Sequence, residues 1–108
     1  MNELLHIARP QDLAVADTHY RPADLPPGGF VHCCDRDQLP GVLERWFAPG
    51  TELVLLHLDE ALIDAPVVRE VVIEGQAPFA HVYGPIPVRA ILQHVAFTAP
   101  LAPAQSTR

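Results

Sequence analysis

Imidazole is the side chain that exchanges a proton near neutral pH, and this chain carries six of them in 108 residues. Three stand in short apolar runs: His6 within Leu4–Ile7, His32 within Phe30-Val-His-Cys-Cys34, and His81 within Phe79-Ala-His-Val-Tyr83. Side chains alternate across a strand, so His81 and Tyr83 share one face, as do Phe30, His32 and Cys34. A face that sets imidazole beside phenol reads as the lining of a pocket, able to donate, accept or relay protons. The plainer reading makes each histidine a half-buried side chain bonded to a backbone carbonyl. Glu70, beside Arg69, is either half of an exposed ion pair or an acid reaching into a cleft. His19, His57 and His94 have no distinctive neighbours.

Other chemistries compete less well. His32, Cys33 and a second histidine offer N and S ligands for zinc. However, the sequence has no C-x-x-C or H-E-x-x-H spacing, and adjacent strand residues point to opposite faces. Cys33 or Cys34 beside His32 suggests a thiol nucleophile, although cysteine more often serves as a small buried hydrophobe. The one serine, Ser106, lies in the tail. Gly28, Gly29 and Gly84 form no phosphate-cradling motif after a strand, which excludes a Rossmann or P-loop site.

The elements that must position these groups follow from periodicity. Strands are expected at Leu4–Ile7, Phe30–Cys33, Glu52–Leu58, Val67–Ile73, Phe79–Tyr83 and Ile91–Phe97. Glu52–Leu58 is a continuous apolar run and reads as central, buried on both faces. A brief helix is expected over Pro10–Thr18 with Leu13, Ala14 and Ala16 inward. A longer helix begins at Asp35, with Gln38 at the capping-box position. Its stripe of Leu39, Val42, Leu43, Trp46 and Phe47 is assigned to the core. Tyr20–Gly29 is loop, punctuated by proline and glycine. Six strands and two helices in irregular order define an α+β domain over residues 1–98, with a disordered Pro/Ala/Ser-rich tail over 99–108 that frays from Thr98.

Composition narrows the partners. Hydrophobic residues are 49% and charged residues 19%, enough for a compact core that buries roughly 65% of the surface. Seven basic residues, all arginine, face 13 acidic ones, a net charge of −6. A net-negative chain without a basic run argues against nucleic acid or an anionic membrane, so a phosphate must be held locally, by arginine or backbone amides. No apolar stretch reaches the ~18–20 residues of a span, and the N-terminus lacks a signal pattern. Cys33 and Cys34 are too close in sequence to bridge without strain, so a reduced, cytoplasmic protein is expected.

The segments Leu4-Leu-His6-Ile, Tyr20-Arg-Pro, Gly29-Phe-Val-His32-Cys33, Leu53-Val-Leu-Leu and Phe79-Ala-His81-Val-Tyr83-Gly84-Pro85 occur in the order of the bacterial domain of unknown function 952 family. The chain resembles that family from about Leu4 to Val95. It departs at Cys34, where serine is common, and at Gly28, where glutamate is frequent. The resemblance implies a split, curved sheet similar to that of ADP-ribosyltransferases, with NAD or a related nucleotide in a central cleft. By the same likeness His6 would hold a ribose hydroxyl and His32 or Tyr83 would stack on nicotinamide. His81 falls near the position of the late glutamate, leaving Glu70 as the nearby acid, so His32, His81 and Glu70 are the catalytic candidates. Arg21 or Arg69 would contact phosphate on grounds of charge. The alternative is a non-catalytic ligand-binding or interaction domain that keeps the fold without turnover.

Overall fold

The computed structural model describes residues 2–99. Eight strands and two α-helices follow in the order β1 (Glu3–Ala8), α1 (Pro10–Ala14), β2 (His19–Tyr20), β3 (Val31–Cys33), α2 (Leu39–Trp46), β4 (Glu52–Asp59), β5 (Val67–Glu70), β6 (Phe79–Val82), β7 (Ile86–Pro87) and β8 (Ile91–Thr98). They form an α+β fold with three antiparallel sheets, ordered β1-β4-β8, β2-β7 and β3-β6-β5. The sheets do not close into a barrel. A single bridge, Leu5 with Cys34, joins β1 to β3 through two 2.8 Å backbone bonds. The two larger sheets therefore meet at one point and then part.

β4 is the middle strand of its sheet and divides its side chains between two cores, as an unbroken apolar run requires. Val54, Leu56 and Leu58 join Leu4, Val31 and Val82 in one cluster. Leu53 and Leu55 join Leu5, Leu39, Leu43 and Phe79 in the other. Each fully buried leucine contributes about 2 kcal/mol, so β4 anchors both faces. Ahead of α2, the Asp35 N–H donates to Gln38 Oε1 at 2.8 Å, the backward half of a capping box. This cap belongs to a 3-10 turn over Arg36–Gln38 that leads into the helix.

Several expectations need correction. The first helix ends at Ala14, and its buried residue is Asp12; Ala14 faces outward while Leu13 and Ala16 pack partly inward. Tyr20 is not loop but half of a two-residue strand paired with Ile86. The strand expected over Val67–Ile73 stops at Glu70, and Val71 and Val72 are exposed. Thr98 pairs with Glu52, and buried Ala99 exchanges backbone bonds with Gly50 and Thr51, so both are ordered. The rest of the expected tail lies outside the described residues. Among the described residues, no helix is long and apolar enough to cross a membrane.

Candidate functional site

The register of the β3-β6-β5 sheet determines which side chains meet. His32 pairs with His81, and His81 with Val68; Glu70 lies two residues beyond Val68 and so on its face. Phe30, His32, His81, Tyr83 and Glu70 consequently share one side of the sheet, while Val31, Cys33, Ala80 and Val82 face the core behind it. Arg69, one residue from Glu70, points the other way and forms two 2.8 Å bonds with Glu60. Glu70 contacts His81 across the strand pair instead, and Arg69 is already occupied rather than open to a phosphate.

On the shared face the Phe30 ring stacks on His81 at 3.8 Å and 19°, and the His32 and His81 centroids are 5.5 Å apart. Glu70 Oε1 accepts 2.6 Å hydrogen bonds from both His81 Nδ1 and the Tyr83 hydroxyl. Those two donors hold its carboxyl below the usual range, with the Tyr83 bond leading, and the same bond raises the Tyr83 phenol. His81 is only 3% exposed, and its Nε2 is buried without a hydrogen-bond partner.

His6 sits where the two sheets part. Its Nδ1–H donates to the His32 carbonyl at 2.6 Å, and its Nε2 accepts from the Tyr20 hydroxyl at 2.8 Å. The imidazole thereby satisfies a carbonyl that β1 no longer reaches by backbone pairing. Burial pushes its pKa down to about 4, so it is neutral at physiological pH. The His32 pKa is also lowered, first by loss of surrounding water and then by the proximity of His81.

A cleft of about 710 Å³ opens here, within the range of small-molecule and cofactor sites. His6, His32 and His81 all line it, with Phe30 and Phe79 on one wall and Trp46 of α2 on another. Trp46, assigned to the core from its helical spacing, is 50% exposed and meets Phe79 edge-on at 6.0 Å. Of the stripe, Leu39 and Leu43 are buried in the core, while Val42 and Phe47 pack against it and, with Trp46, line the cleft. Arg9 and buried Asp12, also in the lining, were missed from sequence because their ion pair (3.0 Å) forms only at the turn into α1.

Not every candidate joins this cleft. Glu70 and Tyr83 stand behind His81 rather than in the lining. Tyr83 and Arg21 border a second hollow of about 260 Å³, which shares Leu25, Pro26 and Gly29 with the cleft wall. Arg21 donates there to the Leu25 carbonyl at 3.3 Å. With both nitrogens engaged, His6 has no polar atom free for a ribose hydroxyl. Cys33 and Cys34 are free, buried thiols; burial raises both, Cys34 to about 12, far from a thiolate nucleophile. No group of three or more histidine, cysteine, aspartate or glutamate side chains gathers as a metal site among the described residues.

The chain is thus a small α+β domain in which three imidazoles line one cleft. Residues 7–94 match the family described as "Protein of unknown function (DUF952)", and the chain belongs to it. It is similar to the crystal structure of protein CC0527 from Caulobacter crescentus at 25% identity and a TM-score of 0.72. A double methionine variant of that protein gives 23% and 0.73, and each alignment covers 88% of this chain and 85% of the other. No curated protein matches.

Proposed function

We propose that the cleft binds an NAD- or ADP-ribose-type nucleotide, with the planar base or nicotinamide ring inside. The observation that carries this reading is the cleft wall itself, where Phe30, Phe79 and Trp46 surround three imidazoles in one hollow of nucleotide dimensions. Flat aromatic surfaces favour a flat ring, and the few polar atoms among them fix its orientation. The phosphates would extend over the rim formed by Leu25, Pro26 and Gly29 toward Arg21, whose guanidinium makes one long backbone bond among the described residues. His32 meets the ligand at the mouth, and His6 shapes the floor.

Calorimetric titration of NAD, ADP-ribose and nicotinamide tests the reading, with Trp46, the only tryptophan, as an independent fluorescence reporter inside the cleft. Binding that changes Trp46 emission and weakens in His32→Ala is expected. Absence of heat with all three at millimolar concentration overturns the proposal. A second reading, binding without turnover, is favoured by the position of Glu70 behind His81. Among the described residues the carboxylates lining the cleft are Asp12 and Asp24, and both already face Arg9 rather than an oxocarbenium-like centre. Nicotinamide release from NAD separates the two, since binding without release identifies the non-catalytic domain.

A further inference from the structure

We propose that His81 is the hydrogen-bond acceptor and general base of the cleft, held in one tautomer by Glu70, and that it selects ligands presenting a hydroxyl or amide N–H to its Nε2. The proposal rests on the cleft being the ligand site and deepens that reading by naming what the ligand must offer.

The argument begins with proton bookkeeping. An ionised carboxylate only accepts hydrogen bonds, and Glu70 Oε1 lies 2.6 Å from both His81 Nδ1 and the Tyr83 oxygen. Both partners must therefore supply hydrogen. Tyr83 contributes its hydroxyl proton, and His81 contributes the proton on Nδ1. In the neutral ring Nε2 then carries a lone pair. That atom is buried, lines the cleft through its residue and has no partner. A buried polar atom without a partner costs about 1–3 kcal/mol, and it is the one such side-chain atom among the described residues. A ligand donor that completes the bond would recover that cost.

The surroundings fix the ring as well as its proton. Phe30 covers one face at 3.8 Å, His32 abuts it edge-on, and Val68 stands across the strand pair. The ring cannot turn to present Nδ1 to the cleft without losing Glu70. Should the bound group surrender its proton, the O–H or N–H bond breaks toward Nε2 and its electron pair stays on the ligand atom. The resulting imidazolium lies beside the Glu70 carboxylate, which compensates its charge, and no other reactant is consumed. His81 thus touches the ligand, while Glu70 and Tyr83 are positioning residues.

The test combines imidazole 15N NMR with a matched pair of fragments. In the unliganded protein at mildly alkaline pH, His81 is expected to carry its proton on Nδ1, with Nε2 bare. Nicotinamide, which has an amide N–H, should shift the Nε2 resonance. Methyl nicotinate, the same ring without a donor, should bind about tenfold more weakly. Glu70→Ala should mix the tautomers and erase the preference between fragments. Since Glu70 is 40% exposed, that variant should fold, and its amide spectrum checks this. A proton on Nε2 in the wild type, or equal affinity for the two fragments, overturns the proposal even where NAD binds. If the tautomer and fragment preference are as stated but no nucleotide gives heat, the nucleotide reading alone falls.

Discussion

At the scale of single residues, histidine does two different jobs a few ångströms apart. His6 has both nitrogens occupied by Tyr20 and the His32 carbonyl, whereas His81 has one held by Glu70 and one free. The first is a latch and the second a potential ligand contact, although the sequence presents both as histidine inside an apolar strand. Tyr20→Phe tests the latch. Removing the hydroxyl leaves His6 Nε2 buried without a donor, so unfolding free energy should fall by about 1–3 kcal/mol in urea denaturation. Because Tyr20 lines the cleft only as a buried residue whose hydroxyl is spent on His6, nucleotide affinity should move far less than in His32→Ala. The face shared by His81 and Tyr83 was legible from strand alternation alone. Glu70 was named from the resemblance as the acid near His81, but its bond to Nδ1, which separates His81 from His6, was not legible, because Glu70 arrives from another strand and its orientation depends on the β5–β6 register.

At the scale of elements, the cleft exists because β1 and β3 share one bridge and then diverge. The long apolar strand β4 and the capping signal ahead of α2 were readable, since each depends on neighbours a few residues away. The two-residue strands β2 and β7 were not, because proline-rich sequence reads as loop and their pairing is purely tertiary. The turn after β6 is a further case. Gly84 has φ +159°, and a Cβ built there would lie 2.8 Å from the Ala65 Cβ. A real contact of that length does not occur, so the chain must move, and Tyr83, whose N–H bonds the Pro66 carbonyl at 2.9 Å, would move with it. Gly84→Ala should therefore destabilise the fold by about 1–3 kcal/mol and loosen the Tyr83–Glu70 bond. Thermal unfolding measures the first effect. The second appears as a Tyr83 phenol that titrates lower than in the wild type, since that bond is the leading cause of its raised pKa.

At the scale of the whole molecule, the buried latch makes stability depend on pH in a window of its own. His6 has a folded pKa near 4, against 6.5 for an unhindered imidazole. Between those values the unfolded chain binds a proton that the folded chain refuses. Unfolding free energy therefore falls as pH drops from 6.5 toward 4, by up to about 1.4 kcal/mol per pH unit. The lowered pKa of His32 acts in the same direction. Glu3, Glu60 and Glu70, also held below their usual range, lose their contributions only when pH falls below about 4.5, so the upper part of the window belongs to the histidines. His6→Gln isolates the latch, because an amide can donate to the His32 carbonyl and accept from Tyr20 without titrating. The net charge of −6 is common to both proteins, so its self-repulsion largely cancels in the comparison. Urea denaturation across pH 4 to 6.5 should give a markedly shallower loss of stability in the variant, whatever its absolute stability at neutral pH. Parallel curves would mean that His6 is protonated in the folded state, with Nε2 donating to the Tyr20 oxygen instead of accepting from it.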